Sequence, residues 1–429
     1  MQSDNNTRTM TKRLSPLSYM EIFWWSCINS GAWIIQSTFL TYKVRLIINL
    51  GIILLYCLIH LINSGINNNF VIRTTNKKSI VLVFVLVLLL AFNINNEDSS
   101  QIGSYLEIIL MMLSGLFICQ KYTYQDFTKV FINIILVISI FSIVFTVFGE
   151  VIRPHISNFP LVEGQFGVSY RNLYVYMFPT FSPIRNSGIF YEPGAFQFFL
   201  NISIYMLMSQ NKFKKHLFKF VIFAIALYLT NSTTGYLVFI CLLIYYVLQQ
   251  QGGGSKHEIA KTLIVSVCMI AILLFFVTSS TVADNFFTKL SMEALLRPDS
   301  TSLRISALLA GIYLSFDNFF FGVGFTNYWQ QINSYYGLVG RNIEVATDTI
   351  TYGISIFGIA PVLLLLVGLF KYTGQEPTRL LNRIVICIAF VILLVSQIYI
   401  NRSIIYILMF YGYSCYKRQK TKAFINTRY

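Results

Sequence analysis

Runs of mostly apolar residues, each about 20 long, recur from one end of the chain to the other with short polar breaks between them. Hydrocarbon about 30 Å thick asks for that length of helix, and a backbone in lipid must satisfy its own amides. Composition agrees, with 55% hydrophobic and 11% charged residues over 429 positions, far from the balance of a soluble domain. The sequence therefore predicts an all-α polytopic membrane protein of about twelve transmembrane helices. These spans centre on 17–38, 44–63, 79–94, 102–119, 129–149, 188–209, 217–230, 234–249, 261–279, 348–370, 384–400 and 403–416. Residues 217–249 also read as one broken hairpin around "TNSTTGY", where Asn, Ser, Thr and Gly supply turn chemistry. No soluble domain is left over, and the polar start lacks the small-residue site of a removable signal peptide.

Charge orients the spans. With the amino terminus in the cytoplasm, "TTNKKS", "KFKKHLFK", "KYTGQEPTRLLNR" and "KRQKTK" fall inside, and the acidic "NINNEDSSQ" falls outside. Roughly 22 of the 32 Lys and Arg residues then lie inside, which is the positive-inside pattern, and both termini are cytoplasmic. The same distribution explains the net charge of +15 without a nucleic-acid footprint. The layout is spans 1 to 5 in 1–149, an outer loop 150–187, spans 6 to 9 in 188–279, an outer loop 280–347, spans 10 to 12 in 348–416, and a basic tail 417–429. Both long loops are rich in aromatic and apolar residues, so they are expected to fold into a cap, the second with an amphipathic helix over about Ser302 to Phe316.

Arginine dominates the outer cations, at about eight of ten against about seven of 22 inside. Lys suffices for topology, whereas a guanidinium fork suits phosphate and carboxylate. Arg153, Arg171, Arg185, Arg297, Arg304 and Arg341 stand out as a group pointing to an anionic ligand at the outer interface, although each alone is better explained as a solvated or structural loop residue. Arg185 opens "RNSGIFYEPGAF", just before an apolar helix whose amino-terminal end offers unpaired donors and partial positive charge. Gly188 and Gly194 would let backbone approach a ligand, Pro193 suits a first helical turn, and Arg185 snorkelling to headgroups is the alternative. Glu192 is a candidate general base, arginine partner or helix-end acid. Asp348 enters the apolar run after the second loop, and Glu344 would lie one turn earlier if that segment is helical. Tyr170, Tyr174, Tyr176, Phe178, Trp329, Tyr335 and Tyr336 would stack on sugars or anchor the interface.

Other chemistries find no support. "FFFGVGF" lacks the context of a nucleotide fingerprint, no phosphate-loop or Asp-x-Asp pattern occurs, the four histidines are scattered, and the seven cysteines read as packing residues. No cofactor or metal is expected. "QQGGGSKHE" reads as a flexible inner loop.

Three patches resemble the bacterial O-antigen polymerase and ligase superfamily of membrane glycosyltransferases. "RNSGIFYEPGAF" resembles its Arg-x-x-Gly segment leading into a helix, "TSLRISALLAG" with "FFFGVGF" its Arg-bearing helix and Gly-x-Gly, and "VATDTITYGISIFGIAP" its segment reentering the membrane. The resemblance implies a C-type glycosyltransferase fold in the bacterial inner membrane, with the two loops capping a periplasmic active site that uses undecaprenyl-pyrophosphate-linked oligosaccharide. Arg185 and Arg304 would hold the pyrophosphate, with Glu192 and Asp348 as further catalytic candidates and Arg171, Arg341, Gly188 and Tyr170 as substrate-binding candidates. Ligases carry a histidine in the third patch where this chain has Thr347 and Asp348, so a repeat-unit polymerase is expected. The alternatives are a ligase using a lipid A core acceptor and, from another class, a lipid-linked oligosaccharide flippase. Membrane lipid and a chain-length regulator are the other candidate partners.

Overall fold

A computed structural model describes residues 15–34, 42–67, 77–94, 97–99, 101–163, 169–181, 183–209, 216–250, 300–336, 342–374 and 380–426. Most of these are helical. In chain order the helices are α1 (Pro16–Ser26), α2 (Tyr42–Asn67), α3 (Lys77–Ile94), α4 (Ile102–Lys121), α5 (Tyr124–Val147), the single turn α6 (Gly149–Ile152), α7 (Pro193–Ser209), α8 (Leu217–Leu229) and α9 (Thr233–Gln250). They continue as α10 (Ser300–Asp317), α11 (Gly324–Asn333), α12 (Thr349–Phe357), α13 (Ile359–Tyr372), α14 (Leu380–Ser396) and α15 (Ser403–Asn426). Among the described residues α4 and α5 are long and apolar enough to cross a membrane, while stretches of α2, α3, α8, α9, α13, α14 and α15 are apolar but shorter. The described residues are thus mostly helical, with two membrane-capable helices, consistent with an all-α membrane protein. The expected span 261–279 lies outside the described residues.

The helix α7 is central, for every residue from Ala195 to Ser209 is buried, and a helix apolar all round must be enclosed by others. The carboxy-terminal α15 packs against α4 and α13. Small residues let these backbones meet: a Cβ added at Gly412 would lie 2.0 Å from the Gly368 carbonyl oxygen of α13, and one at Gly115 of α4 would lie 2.8 Å from the Tyr406 backbone. In a lipid setting such close approach substitutes for the hydrophobic drive that holds soluble helices together.

Several elements depart from the expectation. After the turn α6 the first loop carries strands: β1 (Leu161–Glu163), β2 (Ser169–Asn172) and β3 (Met177–Pro179) form an antiparallel sheet, with Val162 opposite Tyr170 and Arg171 opposite Phe178. Among the described residues the regular structure is thus helical apart from this small sheet, whose β2–β3 turn is set by the Asn172 side chain accepting from the Tyr174 amide at 2.8 Å. Span 1 stops at Ser26, after which Gly31 (φ 103°) redirects the chain and Trp33 N–H donates to Ile189 O at 2.8 Å. Span 10 breaks into α12 and α13 at Gly358 (φ 79°). The helix expected at Ser302 to Phe316 is present as α10, but Glu344 lies in irregular, exposed chain rather than a helical turn before Asp348.

The Gly-x-Gly patch serves this break. Val323 N–H donates to Ser355 O at 2.7 Å and Ile359 N–H to Phe319 O at 2.8 Å, so the chain around Gly322 and the α12–α13 junction satisfy each other's backbone. Glu97, from the acidic loop, accepts from the Phe325 and Thr326 amides at 2.6 and 2.8 Å and so neutralises the amino-terminal end of α11. A Cβ at Gly358 would fall 2.0 Å from the Phe320 carbonyl oxygen, in a conformation that costs an L-residue about 1–3 kcal/mol before any clash. Gly358→Ala is expected to lower the thermal unfolding midpoint of detergent-purified protein sharply. Gly51→Ala, on a helix where nothing lies within 4 Å, is expected to be neutral or stabilising by about 0.5–1 kcal/mol. Equal midpoints for the two variants would contradict this account.

Candidate functional site

The segment holding Arg185 is fixed from below. Asn186, fully buried, donates through its side chain to Ser142 Oγ at 3.0 Å and to Ala226 O at 3.2 Å, while Ser187 Oγ donates to Met177 O at 2.7 Å. Gly188 (φ 58°) lets the chain turn, and an added Cβ would meet the Phe196 ring at 3.1 Å. This glycine thus shapes the approach to α7, and it lines neither cavity described below. Arg185 itself reaches across "TNSTTGY": Nε donates to Thr230 O at 3.1 Å and Nη2 to Asn231 O at 2.8 Å. These carbonyls end α8, where partial negative charge favours a cation. The same segment therefore ends α8, and α9 begins separately at Thr233.

Arg304 repeats the arrangement on a second helix end. Its Nη1 donates to Ser396 O, the last residue of α14, at 2.8 Å, and its Nη2 lies 3.3 and 3.4 Å from the two carboxylate oxygens of Glu192. Glu192 stands immediately before Pro193, the first residue of α7. It also accepts from Gln397 Nε2, and Gln397 Oε1 in turn accepts from Tyr191 OH at 2.7 Å. Three segments distant in sequence are thereby tied at one point.

Two cavities meet at that point. One, of about 400 Å³, is lined by both Arg185 and Arg304, by Glu192, Pro193 and Gly194 at the start of α7, by Ser232, Thr233 and Thr234 at the start of α9, and by an apolar wall from Ile305, Leu308, Val391, Ile392 and Val395. The other, of about 300 Å³, lies past the Arg304–Glu192 pair and includes Trp33, Gln101, Glu107, Tyr191, Trp329, Asn401 and Arg402. Burial lowers the Arg185 guanidinium from its ordinary pKa, Glu192 opposes that, and Arg304 adds like-charge repulsion. Arginine stays charged through such shifts, so the first cavity holds two cations and one carboxylate beside two helix amino termini.

The remaining candidates separate. Tyr170 is buried, and its hydroxyl is pushed above its ordinary pKa by burial and then by Glu192, with Arg185 opposing, which sets it near the pair. Arg171 donates to Phe159 O at 2.7 Å and braces the sheet, while Arg153 donates to Phe181 O at 3.3 Å. Asp348 is the amino-terminal cap of α12: one carboxylate oxygen accepts from the Thr351 amide at 2.6 Å and the other from the Thr351 hydroxyl, and it lines neither cavity. Arg297 and Arg341 lie outside the described residues. Of the aromatics, Trp329 reaches a cavity, whereas Tyr176 and Phe178 are buried in a small cluster of their own.

Sequence reasoning passed over Gln397, Arg402 and the buried pair Arg45–Glu107 (2.8 Å). Arg402 sits in the tight connection "INRS" between α14 and α15, and Arg45 near the start of α2, so the outer skew toward arginine was the available signal for both.

These helices enclose an arginine-lined double cavity, a polar site within a mostly helical bundle. Residues 218–350 match the family model described as O-antigen ligase, which supports the O-antigen polymerase and ligase superfamily, whose members are membrane glycosyltransferase-like enzymes. The matched region contains Arg304 and Asp348 and excludes Arg185 and Glu192. No curated protein and no solved structure matches the chain.

Removing one member of a buried ion pair strands the other, at about 3–5 kcal/mol, whereas replacing both with apolar groups is often neutral or better. Arg45→Met and Glu107→Leu are each expected to destabilise the purified protein by that order, and the double variant to recover most of the loss in thermal unfolding. Additive destabilisation would show that the pair is not the unit that matters.

Proposed function

We propose that the chain is a surface-polysaccharide repeat-unit polymerase, most specifically of O-antigen, transferring a growing glycan from undecaprenyl pyrophosphate to a hydroxyl at the non-reducing end of a new lipid-linked unit, on the periplasmic side of the inner membrane. The observation that carries this reading is the single cavity that receives both Arg185 and Arg304 beneath two helix amino termini, with an apolar wall on one side. A diphosphate suits the guanidinium forks and helix ends, and a polyprenyl chain suits the apolar wall. The energy for transfer is already stored in the glycosyl pyrophosphate, which fits a site without a nucleotide pattern.

In the proposed step the acceptor oxygen attacks the anomeric carbon, the bond from that carbon to the pyrophosphate oxygen breaks with its electron pair leaving on phosphate, and the acceptor proton passes to a carboxylate. Arg185 and Arg304 stabilise the charge developing on the leaving group. Glu192 is the proton acceptor best placed, since it lines both cavities. Asp348, with both oxygens engaged by Thr351, acts instead by holding the start of α12. Tyr170 flanks the pair, while Arg171 braces the sheet beside it.

The description of the matching family model favours a second reading, an O-antigen ligase with a lipid A core acceptor. Gene deletion separates them. Loss of a polymerase leaves core bearing a single repeat unit, loss of a ligase leaves bare core while long chains persist on the carrier lipid, and loss of a flippase traps units inside. A normal ladder in the deletion strain would refute all three. At the residue level, Arg185→Lys and Arg304→Lys keep the charge but lose the fork, because each arginine uses separate nitrogens for helix-end carbonyls or for Glu192. Each is expected to cut polymer formation at least tenfold at unchanged membrane abundance. Full polymerisation in both would remove them from the site.

A further inference from the structure

We infer that the cavity of about 300 Å³ beyond the Arg304–Glu192 pair is a saccharide subsite that seats the acceptor sugar, with its reacting hydroxyl directed at Glu192. This rests on the glycosyl-transfer reading and adds to it a location for the second substrate. The two cavities share Glu192, Arg304 and Thr347 in their walls, and Arg185 lines the first alone. A carboxylate on the boundary can face an acceptor on one side while the diphosphate sits on the other. The alternative, donor and acceptor crowded into one chamber, leaves the second cavity without a role.

Its lining has the chemistry of sugar recognition. A pyranose presents an apolar C–H face and a rim of hydroxyls, so its sites pair aromatic faces with a few fixed polar groups. Among its lining residues the Trp33 and Tyr191 rings stand 5.8 Å apart at a tilt of 40°, and Trp329 remains 42% exposed. Asn401, also in the lining, has a buried side-chain oxygen with no hydrogen-bond partner among the described residues, an unmet acceptor that a ligand hydroxyl would satisfy. Arg402, its guanidinium 5.8 Å from the Tyr191 ring, has no carboxylate paired with it among the described residues, unlike Arg304 and Arg45. It is available to donate to sugar oxygens. The volume is at the small end for ligand pockets, which fits a terminal sugar rather than a polyprenyl chain.

The test uses two probes on the purified full-length protein: the free repeat-unit oligosaccharide released from its carrier, followed by saturation-transfer NMR, and undecaprenyl pyrophosphate bearing no sugar, followed by binding of a labelled form. Asn401→Ala and Trp329→Ala are expected to weaken the oligosaccharide at least tenfold and to leave undecaprenyl pyrophosphate within twofold, with Trp329→Tyr restoring most of the saccharide binding. Arg185→Lys should show the converse. Unaltered oligosaccharide binding in both cavity variants overturns the subsite, as does parallel loss of both probes, which would mean that these residues hold the fold. If the unaltered protein binds the oligosaccharide but not undecaprenyl pyrophosphate, the saccharide subsite stands and the lipid-pyrophosphate donor reading fails instead.

Discussion

A backbone surrounded by apolar matter must pair its amides and carbonyls within the protein, and wherever a helix stops short that demand becomes acute. This chain stops many helices at one end of the bundle, and the polar site is built from the solutions. The helices α7, α9 and α12 begin there, and α8 and α14 finish there. Starts present donors and partial positive charge, while finishes present carbonyls. Arg185 and Arg304 each satisfy a finish, at Thr230 and Asn231 and at Ser396, so the guanidinium groups are first of all structural. Their remaining donors, together with the helix starts, leave the first cavity rich in positive potential.

Two of the ion pairs, Arg45–Glu107 and Arg304–Glu192, differ in how firmly their partners are held. Arg45 and Glu107 are both buried, at 6% and 8% side-chain exposure, and separated by 2.8 Å. Such a pair resists exchange because either charge alone would be stranded. Arg304 and Glu192 are 36% and 22% exposed, with the nearest contact at 3.3 Å. Solvent screens them more, and an incoming oxyanion can take over the guanidinium at modest cost. On the proposed reading that exchange releases the carboxylate at the moment a diphosphate arrives, with Gln397 keeping Glu192 in place.

Which features were legible in the sequence follows from the range of the interactions behind them. Arginine enrichment on the outer side singled out Arg185 and Arg304 because it is a property of composition and topology, and the helix around Arg304 was visible in its apolar spacing. Gln397 was not, since it acquires meaning only from Tyr191 and Glu192, about 200 residues earlier in the chain, and Arg402, which shares the outer arginine skew, lies beside the equally remote Tyr191. The sheet escaped because strands of three or four residues leave no periodic trace, and its register depends on contacts such as Asn172 with Ile34 O at 2.8 Å. The break at Gly358 was hidden by apolar residues on both sides, which read as one span although the Phe319–Phe321 chain passes too close for a side chain there. Asp348 resembled a base by position, and its capping of Thr351 is a local pattern, Asp followed three residues later by Thr, that the same sequence also contains.

The matched region and the site divide the chain differently, and the difference bears on how function is partitioned. Residues 218–350 supply Arg304, the α9 start and Trp329, whereas Arg185, Glu192, Gln397 and Arg402 come from either side of that stretch. A site assembled this way places one arginine of the pair inside the family region and its carboxylate outside it, so neither part forms the cavity alone. The second cavity draws still more widely, from Trp33 near the amino terminus to Arg402 near the carboxy terminus. On the proposed reading this separation is useful, because residues that would meet the sugar, such as Trp33, Asn401 and Arg402, lie on segments other than those that carry Arg185 and Arg304.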